Sequence, residues 1–524
     1  MFEDVRLVQS GFMMAVDSYL GQLDRLQLSR DFGVKGRGFG LLRVVSPHLR
    51  YLTFAAGWEY ATGQNNIKIR SGIRSLLTRC RGSLTSIQNI LIDEEDVEVL
   101  VECKKLTRLV PSPIKNWDRI SYISLSRLWC GLELKECRFP VVEPFLWLIK
   151  NYPPVMKRPT SRLIIGQLFD IVKERLFDID HWPGLQECSI CIDGCGLDYT
   201  REKISTQYSS TLTSLSLYFV FEHTDTPYKS FHLDLPILEH LTLEDWSSGG
   251  SEGNHAADWR VPSLKSLSCR WSVDQVSILM QRSVHINSLT WLSIPEIPAS
   301  EVVPFIAPSL RTVVISQLRW NQQVALSWFP STITHLDITF ADCHGVPVSD
   351  DGRYLMNLIG KFTGLKHLSV SSKGIDHAIE HPHCYRRTGV MVERIQYPFL
   401  ETLSLVSCPS FIPTLLDSIH APQLTRLRVK YPMPRFQGPV LIDGLLDCIH
   451  HSPRLIMIDL CYVSDMRTEF PIIPLTIFPP LLYLTKLNCT RVTSFTYRVL
   501  QTHAPSLTSQ PINMFNCYYY TDPF

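Results

Sequence analysis

The sequence predicts an α/β solenoid: a curved sheet of parallel strands on the concave side, one strand per coil, with helices and irregular returns on the convex side. Three observations predict it. A hexapeptide with apolar residues at its first, fourth and sixth places recurs along the chain. Successive copies from Leu212 to Leu484 begin 21 to 35 residues apart. The segments between copies carry helical patterns or proline-led turns. A period of this size means stacked units, none of which can bury its apolar face alone.

The copies are read directly. Leu212, Leu215 and Leu217 form one, followed by Leu238, Leu241, Leu243 and by Leu264, Leu267, Cys269. Next come Leu289, Leu292, Ile294; Leu310, Val313, Ile315; Ile333, Leu336, Ile338; and Leu365, Leu368, Val370. The last are Leu400, Leu403, Leu405; Leu424, Leu427, Val429; Leu455, Ile458, Leu460; and Leu484, Leu487, Cys489. The final two apolar places lie two apart, so they share one face of a strand. Upstream copies are read at Leu23, Leu26, Leu28; Leu49, Leu52, Phe54; Ile87, Ile90, Ile92; Ile120, Ile123, Leu125; and Leu185, Cys188, Ile190.

Helical returns are predicted over Val273–Ser283, Tyr354–Phe362, Phe411–Ile419, Leu441–Ile449 and Thr493–Thr502. Proline opens several copies, as in Ala307-Pro308-Ser309-Leu310, Ala421-Pro422-Gln423-Leu424 and Ser452-Pro453-Arg454-Leu455. It ends a helix and tolerates an extended start. Between residues 128 and 182 the register is lost, and Ser161 to Phe177 reads as a longer helix. The domain reading is therefore a cap over 1–22, divergent repeats over 23–127, an irregular helical segment over 128–182, repeats over 183–510 and a tail over 511–524. In the cap, Val5, Val8, Phe12 and Val16 recur at helical spacing.

On these hexapeptides the chain resembles leucine-rich-repeat proteins, clearly over 183–507. The family often places Asn or Cys three residues after the third apolar position. Here that place holds Val220, Trp246, Ser272, Ile297, Leu318 and Ala341, with Cys408 as the match. The irregular, proline-led style is similar to the repeat region of F-box leucine-rich-repeat proteins of the fungal type. That resemblance implies substrate recognition for a cullin-based ubiquitin ligase, and a cullin adaptor as partner. No F-box is recognisable, because residues 1–22 lack its Leu-Pro-x-Glu opening. A free-standing scaffold and a degenerate F-box relative therefore stand beside the ligase reading.

Composition narrows the function classes. The net charge is +1 with charged residues at 19%, so no bulk pull toward nucleic acid or membrane is implied. Met1-Phe2-Glu3-Asp4 opens acidic with no apolar stretch after it, and Val141–Ile149 is too short to span a bilayer. Fifteen scattered cysteines, several at core places, suit a reducing cytoplasm or nucleus.

No cofactor or metal is expected. His377, His381, His383 and Cys384 lie close together but lack a second ligand pair, and Cys188, Cys191 and Cys195 fit packing plus a turn. The glycine-rich Gly33–Gly40 reads as a surface turn, since no Gly-Lys-Ser/Thr follows. No nucleophile elbow or His-Glu-x-x-His helix appears, so the chain is read as non-enzymatic. An enzyme hidden in 128–182 is the remote alternative.

Recognition is expected on the residues between the apolar ones, which face out of the sheet. Ser and Thr dominate there. The exceptions are candidate contacts: Trp291, His335, His367, and the row Arg426, Arg428, Lys430. Aromatic and arginine side chains carry a large share of interface energy. Three cations on one side of one strand repel unless something acidic is near; an acidic or phosphorylated protein partner would relieve them, and the alternative is an exposed solubilising strand.

Overall fold

The computed structural model describes residues 24–28, 47–54, 66–90, 92–111, 121–139, 161–168, 184–193, 204–220, 233–245, 259–269, 286–295, 307–319, 326–327, 329–341, 353–372, 395–406, 415–416, 419–430, 445, 447–461 and 481–490. They fall into two compact units, Met1–Val261 and Pro262–Phe524.

The first unit holds strands β1 (Arg25–Leu28), β2 (Tyr51–Phe54), β3 (Ser86–Ile90), β4 (Arg108–Pro111), β5 (Glu136–Phe139) and β6 (Arg162–Leu168). It continues with β7 (Glu187–Asp193), β8 (Ser214–Val220), β9 (Leu233–Asp234), β10 (His240–Asp245) and β11 (Trp259–Arg260). From β1 to β8, each strand pairs parallel with the next in sequence, and β8 pairs with β10. The short β9 and β11 form their own parallel pair.

The second unit holds β12 (Ser266–Cys269), β13 (Trp291–Ile294), β14 (Thr312–Leu318), β15 (His335–Phe340), β16 (His367–Ser372) and β17 (Ile395–Gln396). Then come β18 (Thr402–Val406), β19 (Ile419–His420), β20 (Arg426–Lys430), β21 (Met457–Cys461) and β22 (Lys486–Thr490). The main ladder is again parallel and sequential, running β12, β13, β14, β15, β16, β18, β20, β21, β22. The short β17 and β19 pair beside it. The fold is a leucine-rich-repeat solenoid.

The hexapeptide explains both the strand and its burial. In the second unit Leu267, Leu292, Val313, Leu336, Leu368, Leu403, Leu427 and Ile458 occupy one register row, and all are buried. Cys269 sits in the core as a free thiol. The Pro308, Pro422 and Pro453 positions form the turns that open three of these coils.

One backbone contact recurs at the corner before β2 to β8, β10, β13 to β16, β18 and β20 to β22. The carbonyl of one coil accepts two successive amides of the next. Thr425 N and Arg426 N donate to Glu401 O at 2.9 and 3.0 Å, and Ile456 N and Met457 N donate to Thr425 O at 2.8 and 3.0 Å. A hydroxyl often joins them. Thr85, Thr107, Thr213, Thr290, Thr334, Thr425 and Thr485 each donate their Oγ1 to the same preceding carbonyl, and Ser161 does so with Oγ. These hydroxyls hold the corner in a chain that lacks the consensus asparagine.

The helices pack by ordinary amphipathic rules. In α1 (Asn66–Cys80), Ile73, Leu76, Leu77 and Cys80 recur on one face and are buried. At α2 (Glu94–Val101), Asp93 caps the helix: Asp96 N donates to Asp93 Oδ1 at 3.1 Å, and Asp93 N donates to Asp96 Oδ2 at 3.0 Å. Arg74 of α1 reaches both carboxylates. Burial still holds the Asp96 carboxyl up at about 6. At α3 (Tyr122–Gly131), Ser121 is the cap, and its N and Oγ donate to Glu94 at 2.8 and 2.7 Å. The predicted return at 354–362 is α4 (Arg353–Gly360), with Leu355 and Ile359 buried.

Several expectations are corrected upstream of residue 190. The helix expected over Ser161–Phe177 is instead strand β6 across Arg162–Leu168, paired with β5 and β7. The register is therefore kept through this part of 128–182. Ile123 and Leu125 are in α3, not a strand, and Ile123 is exposed. The coils of β4 and β5 are opened by the buried Leu106 and Leu134. Ile87 is the middle apolar place of its copy, not the first, because it pairs with Leu52 and Leu109. Asn89 is the extra residue of a register shift there, at φ 57, and its Nδ2 donates to Phe54 O at 3.0 Å. Asparagine tolerates that left-handed conformation better than a branched residue would. Within Phe411–Ile419, Leu415 and Leu416 are helical but Ile419 belongs to β19.

The cap over 1–22, Gly33–Gly40, Cys195, the histidine group at 377–384, the returns at 273–283 and 493–502, and the tail at 511–524 lie outside the described residues.

Truncating Leu336 to Ala should lower stability by about 2–5 kcal/mol, as a cavity opens between neighbouring coils. Thr425→Val should cost only about 0.5–1 kcal/mol, since Glu401 O keeps its two amide donors. Urea-unfolding midpoints of the full chain check both, and the order of the two effects is the point at issue.

Candidate functional site

Alternation along each strand puts one residue set in the core and leaves the other on the outward face. In the second unit the first outward row runs Ser266, Trp291, Thr312, His335, His367, Thr402, Arg426, Met457, Lys486. The second runs Ser268, Ser293, Val314, Asp337, Ser369, Ser404, Arg428, Asp459. All six residues expected from the sequence lie on this face, but not together.

Trp291 is half-buried between Ser266 and Thr312, well before the cationic strand in ladder order. His335 and His367 are register partners on β15 and β16, and their rings stack with centroids 4.1 Å apart and planes at 24°. The Thr334 hydroxyl lies 2.9 Å from His335 Nδ1. Burial holds His335 below the usual imidazole value, and His367 and Lys366 add to this while Glu401 opposes it. Beside the pair, burial raises the Asp337 carboxyl, partly offset by a hydrogen bond with Ser369.

Arg426 and Arg428 are exposed on β20, and Lys430 is half-buried. Their partners on β18 are Thr402, Ser404 and Val406, none of which carries charge. On the other side Arg428 meets Asp459 of β21, with Nε 3.3 Å from Oδ2. The cation row thus has one acid near it, as the repulsion between its charges requires. This pair is exposed enough to be weak. Arg426 and Lys430 have no ion-pair partner among the described residues. Leu427 and Ile458 hold the same place in successive hexapeptides, so the spacing itself sets Arg428 opposite Asp459; a reading of the strands one at a time misses the ion pair.

The first unit shows the contrasting case. Its outward row carries Arg108, Glu136, Arg162 and Glu187 on four successive strands. Glu136 lies 2.6 Å from Arg108 Nε and 3.5 Å from an Arg162 nitrogen, and Glu187 lies 3.0 Å from Arg162 Nε. Signs alternate, so this stretch neutralises itself. Arg25 lies over the Tyr51 ring at 4.6 Å on the same face.

Among the described residues no group of three or more His, Cys, Asp or Glu could hold a metal ion. The Cys188 thiol is fully enclosed and burial drives its value far up, which makes it inert. No described helix is long and apolar enough to cross a membrane.

No family model matches this sequence, and no curated protein does. Among solved structures, a chain of the TLR13–ssRNA13 complex is similar at 13% identity, TM-score 0.28, over 86% of this chain and 55% of that one. A leucine-rich-repeat protein of Leptospira interrogans is similar at 12% identity, TM-score 0.29, over 66% of this chain and 88% of that one. A chain of the Drosophila Toll–Spatzle complex gives 13% identity, TM-score 0.25, over 93% and 64%. This chain spans about half the length of the TLR13 chain. Likenesses this slight do not bear on function, and the fold assignment rests on the ladder itself.

The histidine stack yields a pH prediction. An imidazole held below its unfolded value of about 6.5 favours the neutral folded form, so stability is full above that value and lost as pH falls through the folded value. Melting temperature should therefore drop more steeply between pH 7.5 and 5 in the native protein than in His335→Gln. Parallel pH profiles of the two would refute the coupling.

Proposed function

We propose that this chain is a non-enzymatic recognition scaffold that binds a protein through the outward sheet face of its second unit. The contact centres on Arg426, Arg428 and Lys430 and takes an acidic or phosphorylated segment. The observation that carries this reading is the exposure of the two arginines beside the small, uncharged Thr402 and Ser404. A guanidinium offers a planar fork that matches a carboxylate or phosphate with two hydrogen bonds, so two neighbouring arginines favour an anionic partner. Trp291, His335 and His367 are further contacts on the same ladder face. A net charge of +1 supports a local acidic contact rather than a nucleic acid or membrane surface.

The style of the repeats supports a finer reading, in which the captured protein is a substrate presented to a cullin-based ubiquitin ligase. The competing finer reading is a free-standing scaffold. A cytoplasmic or nuclear site of action is part of the proposal and is supported by the buried free thiols of Cys80, Cys103, Cys188, Cys269 and Cys448.

Affinity purification from native cells with the unaltered chain and with Arg426→Glu/Arg428→Glu tests this. The double reversal should lose its main partner while the melting curve barely moves, since exposed changes shift stability by about 0.5 kcal/mol or less. Unchanged capture of the same partners would remove the cationic strand as the contact. A cullin adaptor among the captured proteins favours the ligase reading, and one dominant partner without it favours the scaffold.

A further inference from the structure

Exposed apolar side chains are unevenly placed in the second unit. Among the described residues its large exposed apolar groups are Phe399, Ile456, Leu482 and Tyr483. All four sit where a coil turns into its strand, in the coils of β18, β21 and β22. Phe399, Gln423, Arg454 and Tyr483 occupy the same turn place in four successive coils, each three residues before its strand. Ile456 lies at the corner itself, bonded through its backbone to Thr425 on one side and Thr485 on the other. Single exposed apolar residues need no explanation, but a group confined to one corner does.

The corner adjoins the cationic strand. Arg426, Met457 and Lys486 are register neighbours that begin β20, β21 and β22, directly after Thr425, Ile456 and Thr485. With strands about 4.8 Å apart, Arg426 and Lys486 stand roughly 10 Å from each other. Arg454 lies in the corner and donates to Gln423 Oε1. The surface thus combines an apolar corner with Arg426, Arg428, Arg454 and Lys486 around it, against Asp459 in the register row and Glu401 at the corner one coil earlier, which lies 3.9 Å from Lys366.

We infer that the occupant is an acidic protein segment with an apolar anchor: carboxylates lie along Arg426, Arg428 and Lys486, and a leucine-like or aromatic side chain seats against Ile456, Leu482 and Tyr483. The inference rests on the recognition reading above and names its partner class. Charge complementarity selects the acidic backbone of the partner, and the corner selects the side chain between its acids. Alternating acids and apolar residues would satisfy both, whereas a purely acidic tail would leave the corner wet.

Two synthetic peptides of equal length and charge test it on the full chain. One mixes glutamate with serine, and the other replaces the serines with leucines. Fluorescence anisotropy should show the leucine peptide binding about tenfold more tightly. Ile456→Ser/Tyr483→Ser should erase that difference and leave the serine peptide unaffected. Arg426→Glu/Arg428→Glu should weaken both peptides. Equal binding of the two peptides, both sensitive to the charge reversal, overturns the anchor and leaves the cationic contact standing. Binding of neither peptide overturns both. A concentration-dependent dimer that Tyr483→Ser abolishes would assign the corner to a second copy of this chain and overturn the proposal. Melting curves of each variant confirm that a loss of binding is not a loss of fold.

Discussion

A single carbonyl oxygen per coil sets the geometry of each ladder. It lies at the corner where the chain enters the strand and accepts two successive amides from the next coil. An oxygen with two lone pairs can take both donors, so the corner leaves no buried amide unpaired. The register of the strand that follows is then fixed, and with it the division between core and outward face. A one-residue slip would exchange the two sets. The threonines beside many of these carbonyls reinforce the same point.

Much of this was legible in the sequence wherever the hexapeptide stayed apolar at all three places. From Leu212 to Leu484 the copies read from the chain are the strands of the ladder. Legibility failed where one place was atypical, as at Pro111. It also failed where two periods coincide. Ile120 and Ile123 are three apart, which suits a helix as well as the opening of a hexapeptide, and the Ser121 cap with its bonds to Glu94 decides for the helix. The apolar run at 163–165 is short enough to serve either a helix or a buried strand. Its pairing with β5 on one side and β7 on the other settles it as a strand. The threonine corner was not read from the sequence, because its role depends on a carbonyl more than twenty residues away.

The two outward faces differ in how they dispose of charge. On the first unit, arginine and glutamate alternate from strand to strand and each carboxylate lies close to a guanidinium. On the second, β20 is cationic, its neighbour β18 is uncharged on that face, and one aspartate answers it. Candidate residues were legible because alternation assigns a face without any knowledge of packing. The neighbours of Arg428 were legible too, since matching Leu427 to Ile458 sets it opposite Asp459 across 31 residues, but the distance that makes them an ion pair was not.

The corner carbonyl also separates two kinds of change in the chain. Because register is set at the corner, the segment that leads back to it can lengthen without disturbing the face. Going from the shortest return period of 21 residues to the longest of 35 adds only about 0.5 kcal/mol of closure entropy. The outward residues and the returns can therefore drift independently. Such a chain can acquire insertions on one side while keeping every outward side chain at its place on the other.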